Sequence, residues 1–97
     1  MDFQSAIAIF RVIADNYSHY PAATQRSLLE GIYALADECQ ENLQRRSDLG
    51  KLEDLETSFE MTKLFAEDAF KSGEFAEGFR SAAECCWSNV AVLESLR

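Results

Sequence analysis

Three cysteines and one histidine are the side chains of this sequence that could act as nucleophiles or soft metal ligands. Cys85 and Cys86 are adjacent and precede Trp87, Cys39 lies far upstream, and His19 stands in the segment YSHYP. A zinc site needs four such ligands at clustered spacing, and a Cys–His nucleophilic pair needs its base beside the thiol. Because neither pattern occurs, we expect no resident metal or cofactor and no thiol catalysis.

The cysteines are better interpreted as small apolar side chains. Adjacent helical positions point about 100° apart, so Cys85 and Cys86 are badly placed to form a disulfide with each other. Free cysteine is also among the most buried residue types. We therefore expect Cys86 and Trp87 to lie in a helical core, Cys85 on its flank, and the thiols to stay reduced in a cytoplasmic protein.

Paired carboxylates could support a second kind of chemistry. Glu38 and Glu41 form one Glu-x-x-Glu pair, and Glu53 and Glu56 form another. This layout resembles the acidic motif of the all-α nucleotide pyrophosphatases, the MazG-like family, whose helical carboxylates hold magnesium and whose second pair ends in aspartate. The resemblance implies a magnesium-dependent nucleotide pyrophosphatase.

Helix geometry favours a different interpretation of these carboxylates. At 100° per residue, Glu38 lies about 80° and Glu41 about 140° from a buried face centred on Leu28. One side chain would then flank the core and the other would face water. We therefore interpret the pairs as solvated helix surface and expect no enzymatic activity.

The spacing of apolar residues predicts an all-α fold. Apolar residues make up 47% of the chain, while Gly and Pro together number five, which favours helices over a turn-rich β fold. Short connections predict a small antiparallel bundle of about four helices, or a three-helix unit completed by homodimerisation through its first helix. We expect one domain over residues 1–97, with helices at about 3–17, 22–46, 50–72 and 74–96.

Particular residues mark the predicted helix ends. Asp2 is a suitable N-cap for the first helix, and Pro21 suits the first turn of the second. Ser47 or Asp48 could cap the third helix. Gly73 can take the left-handed conformation that ends it.

Small residues near the crossing of the last two helices, Ala66 and Gly78, predict close packing there. The stretch from Ala66 to Trp87 resembles one tetratricopeptide hairpin, although it lacks the proline that ends such repeats. Close packing of small residues explains the pattern equally well, and a stable array would need several repeats.

The predicted first helix is apolar on nearly all sides, which indicates burial against more than one neighbour. In so small a protein this predicts a central position or a self-association surface. Such a surface indicates an alternative function, in which the protein is a helical adaptor that binds a partner through this helix. The expected self-association residues are Ile9, Phe10, Val12 and Ile13.

Charge is the strongest indication of function. The net charge is −8, of which residues 53–97 contribute −6, with ten acidic residues against four basic ones. Such a field repels nucleic acid and anionic membranes and attracts basic protein surfaces. The expected partner-binding acidic face consists of Glu53, Glu56, Glu60, Glu67, Asp68, Glu74 and Glu77.

Carboxylates on a helix recur once per turn, about 5.4 Å apart, a spacing comparable to that of phosphates along a nucleic-acid strand. We therefore expect a non-enzymatic binding domain that occupies a basic, nucleic-acid-binding protein surface. In size, charge and lack of catalytic motifs it is similar to inhibitors that phages and plasmids direct at host defence complexes. Ordinary solubilising charge is the plain alternative. The sequence predicts neither a membrane span nor a signal peptide.

Overall fold

Four α-helices confirm the predicted all-α bundle. The structure, a computed structural model, describes residues 2–46 and 52–96, except for the side chains of 52–54. No strand occurs in these ranges, and none of their helices is long and apolar enough to cross a bilayer. The helices are α1 (Phe3–Asn16), α2 (Ala22–Gln44), α3 (Leu52–Ser72) and α4 (Phe75–Ser95), with a turn of 3₁₀ helix at Tyr17–His19.

Local chemistry sets the helix ends. The Asp2 carboxylate accepts a 2.7 Å hydrogen bond from the backbone N–H of Ser5, which confirms the predicted cap of α1. Pro21 stands in extended backbone immediately before α2. Gly73 has a φ of 78°, so the turn between α3 and α4 uses the left-handed conformation that glycine permits. The predicted caps at residues 47 and 48 lie outside the described residues.

The helix α4 is the centre of the bundle because it packs against each of the other three helices. The helices α2, α3 and α4 contact one another, as in a three-helix bundle. The helix α1 lies along α4 and touches α2 only slightly. The bundle is therefore open along the seam between α1 and α2.

Three phenylalanines are the largest fully buried side chains of the core. Phe10, Phe59 and Phe79 are each almost completely buried, and the rings of Phe10 and Phe59 have centroids 6.2 Å apart. Tyr20, just before α2, packs edge-on against Phe79 at 5.9 Å. Burial of each large apolar side chain contributes about 1.5–3 kcal/mol. The first ring pair joins α1 to α3, and the second joins the segment before α2 to α4.

A buried polar network joins α3 to α4. Asn89 is fully buried, and its side-chain amide donates to the Thr62 hydroxyl at 3.0 Å. The Ser58 hydroxyl donates to the Asn89 side-chain oxygen at 2.5 Å, and the Thr62 hydroxyl donates to the Ser58 carbonyl at 2.8 Å. Because an unpaired polar group in the core costs free energy, this network favours one register of α3 against α4.

The cysteine–tryptophan pair of α4 divides between core and surface. Cys86 is fully buried, as predicted, and its thiol lies 3.4 Å from the Ala82 carbonyl, to which it can donate. Trp87 is 48% exposed, so the prediction that it is interior was wrong. The reason is geometric, since Trp87 lies about 100° around the helix from Cys86 and falls outside the stripe that contains Phe79 and Val90.

Gly78 allows the predicted close crossing of α3 and α4. A Cβ atom at this position would lie 2.3 Å from the Cβ of Ala69, which is shorter than any van der Waals contact. We expect Gly78→Ala to lower the free energy of unfolding by about 1–3 kcal/mol, although alanine is the better helix former.

Urea denaturation of a double-mutant cycle measures this effect. Adding Ala69→Gly to Gly78→Ala moves the methyl group from one helix to the other, and it should recover part of the loss. Strictly additive effects of the two substitutions would show that this contact does not limit the crossing.

Candidate functional site

The acidic residues of α3 and α4 occupy two different flanks of the bundle. Asp68 directly follows Glu67, so the two side chains point about 100° apart around α3. Glu60 and Glu67 face α2, whereas Asp68 turns toward the start of α4. The predicted acidic face is therefore not one continuous surface.

We call the first group the α2–α3 ladder. Three polar residues of α2 each contact one residue of α3, and the spacing on both helices is four and then three residues. The contacts are Tyr33 hydroxyl to Glu67 at 3.1 Å, Lys63 ammonium to Asp37 at 2.8 Å, and Gln40 amide to Glu60 at 2.8 Å.

Lys63 is the central residue of the α2–α3 ladder. Its side chain is 15% exposed, it also donates to Gln40 at 3.1 Å, and its ammonium lies 5.5 Å from the centre of the Tyr33 ring. The hydrogen bond to Asp37 raises the pKa of Lys63, and the hydrogen bond to Glu67 raises the pKa of Tyr33. The ladder therefore uses Glu60 and Glu67 to hold α2 against α3.

The second group forms a small surface cavity of about 220 Å³ between the end of α3 and the start of α4. We call it the carboxylate recess. The Gly73 turn brings the two helix ends together, and Ala69 and Gly78, which are in close contact, are among the lining residues. Its polar and aromatic lining consists of Asp68, Glu74, Glu77, Ser72, Ser81 and Phe65.

The charge of the carboxylate recess is not neutralised within the described part of the chain. The ion pairs among the described residues join Arg11 to Glu94, Arg26 to Glu30, Lys63 to Asp37, and Arg80 to Glu84. Asp68, Glu74 and Glu77 take part in none of these pairs, and all three side chains are exposed. The recess can therefore accept positive charge from outside the chain.

The carboxylates of the recess do not converge on one point. Among the described residues, no three acidic, histidine or cysteine side chains converge closely enough to hold a metal. A guanidinium or ammonium group needs no such convergence, because its several N–H donors can reach separate carboxylates and hydroxyls.

The carboxylates of the two Glu-x-x-Glu pairs differ in their exposure to solvent. The Glu53 side chain lies outside the described residues. Glu56 is half-buried, and its Oε1 is buried without a hydrogen-bond partner. Glu38 is half-buried and Glu41 is exposed, in the order expected from their angles on α2.

The four predicted self-association residues also separate. Phe10 is fully buried and Ile13 is 7% exposed, so both belong to the core. Ile9 is 42% and Val12 is 53% exposed. Val12 lines a shallow apolar hollow with Ala8, Ile9, Ile13 and Leu28. Beside it is an apolar cavity of about 350 Å³ that we call the α1–α2 groove, which is lined by Ile9, Ile13, Ser27, Leu28, Gly31, Ile32, Ala34, Leu35 and Glu38.

Several residues of these surfaces were not predicted from the sequence. The matched spacing of Tyr33, Asp37 and Gln40 on α2 was a usable indication of the ladder. Gly31 was an indication of the groove, because a glycine inside a long helix is unfavourable unless something requires it. Neither indication tells which helix packs against this side of α2.

The three cysteine thiols are buried or half-buried, as is typical of side chains that pack in a core. Burial raises the pKa of Cys39 to about 11 and that of Cys86 to about 12, and it also raises the pKa of the half-buried Cys85. Thiolates, the reactive form, are therefore disfavoured at neutral pH. His19 is exposed in the 3₁₀ turn.

Comparison with known proteins gives no relative: no family model, curated protein or solved structure matches this chain.

We expect Lys63→Ala to lower the free energy of unfolding by about 1–2 kcal/mol, because it leaves Asp37 and Gln40 without their donor. The half-exposed Asp37 can recover hydration, which keeps the loss in this range. Arg80→Ala is the matched control, since its ion pair is 70% and 58% exposed and should contribute less than about 0.5 kcal/mol. Equal losses for the two variants in chemical denaturation would contradict a stabilising ladder.

Stability should fall in alkaline solution because of the buried thiols. The unfolded chain releases these protons above its ordinary thiol pKa, near 9, while the folded chain retains those of Cys39 up to about pH 11 and those of Cys86 up to about pH 12. The stabilisation is complete below pH 9 and is lost as the pH rises toward these values. Urea denaturation of the reduced protein at increasing pH measures the slope. The variant carrying both Cys39→Ala and Cys86→Ala should show a shallower slope, and an unchanged slope would contradict this cause.

Proposed function

We propose that this protein is a non-enzymatic binding domain that inserts basic side chains of a protein partner into its carboxylate recess. The observation that carries the proposal is the set of three exposed carboxylates, Asp68, Glu74 and Glu77, around one cavity without an internal cation among the described residues. In a chain of net charge −8, such a site concentrates negative potential at a defined position.

The lining of the recess fits an arginine side chain. Its carboxylates can accept charge-assisted hydrogen bonds, and the hydroxyls of Ser72 and Ser81 add neutral acceptors. Phe65 is also a lining residue, and a guanidinium can stack on an aromatic ring. Arginine is favoured over lysine because its planar group combines several donors with stacking.

The wider acidic surface extends the proposal to the kind of partner. Glu60 and Glu67 take part in the α2–α3 ladder, yet Glu60 remains exposed to solvent. Carboxylates spaced by helical turns can occupy a groove that normally binds phosphates. We therefore propose a nucleic-acid-handling protein or complex as the partner, with this domain acting as an inhibitor of phage or plasmid type.

The apolar α1–α2 groove favours a second candidate function, that of a helical adaptor. Exposed Ile9 and Val12 beside a groove of about 350 Å³ are typical of a site that receives apolar side chains. This site is on different helices from the carboxylate recess, so the two functions can be tested separately.

The first test measures binding of a fluorescent nona-arginine peptide by anisotropy. The variant Asp68→Asn with Glu77→Gln removes two charges of the recess, and Asp15→Asn with Glu41→Gln removes two exposed charges elsewhere. We expect the recess pair to weaken binding by about tenfold and the control pair by less than about threefold. Equal weakening would show a diffuse effect of net charge and would contradict a localised site.

A nona-lysine peptide of the same length tests the preference for arginine. It should bind more weakly than nona-arginine to the wild type, and the difference should shrink when Phe65→Leu removes the aromatic ring. Both peptides should lose affinity as the salt concentration rises, because the attraction is electrostatic.

A further inference from the structure

We infer that the protein partner presents an arginine together with a large apolar side chain, and that the apolar side chain packs on Met61 and Leu64 of α3, beside the carboxylate recess. The inference rests on the proposed function, because it adds a second contact to the same binding surface. It specifies a basic amphipathic helix as the part of the partner that binds, and it distinguishes this helix from a segment that is only basic.

Two exposed apolar side chains of α3 adjoin the carboxylate recess, and we call them the α3 apolar strip. Met61 is 41% exposed and Leu64 is 44% exposed, so neither belongs to the core. Residues three or four apart are neighbours on the surface of a helix. Met61 is therefore beside Leu64 and Phe65, and Leu64 is beside Asp68 in the same way. Because Phe65 and Asp68 line the recess, the strip continues its α3 wall.

The side of α4 that borders the recess changes from charged to uncharged in the same direction. Glu77 and, about one turn later, Ser81 line the recess. The next turn contributes Cys85, which is half-buried and lies against the side chain of Thr62, the neighbour of Met61 in the sequence. This side of α4 is therefore acidic at the recess and uncharged at Cys85, beside the strip.

Charge decides what can cover the α3 apolar strip. Leu64 lies four residues after Glu60 and four before Asp68, so an exposed carboxylate adjoins it on each side. The two basic residues of α3 form an ion pair with neither carboxylate, since Lys63 bonds to α2 and Lys71 takes part in no ion pair of the described residues. An acidic segment would be repelled here, and an uncharged segment would remove water from these carboxylates without replacing it. A basic amphipathic segment pairs with them while it covers Leu64.

Helix geometry sets the spacing of the two contacts. Met61 and Asp68 are seven residues apart on α3, which is about 10 Å along the helix axis. Surfaces between helices commonly receive an amphipathic helix. A partner helix that lies along α3 has the same rise per residue, so its arginine and its apolar residue are also seven positions apart. Two side chains at this spacing lie on the same face of a helix.

Fluorescence anisotropy with two labelled helical peptides tests the inference. The first peptide has two arginines four positions apart, with a leucine seven positions before the first arginine and another seven positions after the second, in a background of alanine and glutamine. All four side chains share one face, and either direction of binding places a leucine over the α3 apolar strip. The second peptide has alanine in place of each leucine. We expect the leucine peptide to bind the wild type about fivefold to tenfold more tightly than the alanine peptide.

The variant Met61→Gln with Leu64→Gln should reduce this preference for leucine to less than about twofold. Its matched control is Ile9→Gln with Val12→Gln, because these α1 side chains are 42% and 53% exposed. The control should keep the preference of the wild type, and circular dichroism establishes that both variants are folded. Equal binding of the two peptides to the wild type would overturn the inference, as would a preference that is lost in the α1 variant but kept in the α3 variant.

The recess variant Asp68→Asn with Glu77→Gln separates this inference from the proposed function. It should weaken binding of both peptides by about tenfold and leave the preference for leucine in place. If the recess is required for binding but the wild type shows no preference for leucine, the inference is wrong and the proposed function stands. If neither peptide depends on the recess carboxylates, both are wrong.

Discussion

The close crossing of α3 and α4 is the constraint on which the other features of this protein depend. The two helices meet where Gly78 has no side chain and Ala69 has only a methyl group, and the buried Asn89 hydrogen bonds hold their register. Because α4 also packs against α1 and α2, its position constrains all three of the other helices. The carboxylate recess exists because the same crossing brings the end of α3 and the start of α4 together.

Charged and apolar surfaces lie on different parts of this molecule. The carboxylate recess gathers three exposed acidic side chains, whereas the α1–α2 groove contains one charged residue among its described lining. The α2–α3 ladder lies between these regions and joins two helices through polar contacts. Each surface is suited to a different kind of contact, ionic at one end and apolar along the α1–α2 seam.

The fold separates residues that the sequence analysis grouped together, and one geometric reason accounts for this. The acidic face was taken as a single set because its members are close in sequence, but Glu67 and Asp68 point to different neighbours. The predicted self-association set mixed two faces of α1, since Phe10 turns inward and Val12 turns outward. Trp87 was assigned to the core together with Cys86, although one residue along a helix is a rotation of about 100°.

The sequence by itself determined that the chain forms four helices, where the turn at Gly73 and the cap at Asp2 fall, and that Cys86 is buried. These features depend on local chemistry and on a period of 3.6 residues, both of which are present in the order of the amino acids. Only the tertiary structure decided which flank of each helix faces a neighbour and which faces water. The reason is that α1 packs against α4 and leaves α2 partly uncovered, and such a choice depends on the fit of distant side chains in three dimensions rather than on the spacing of residues along one helix.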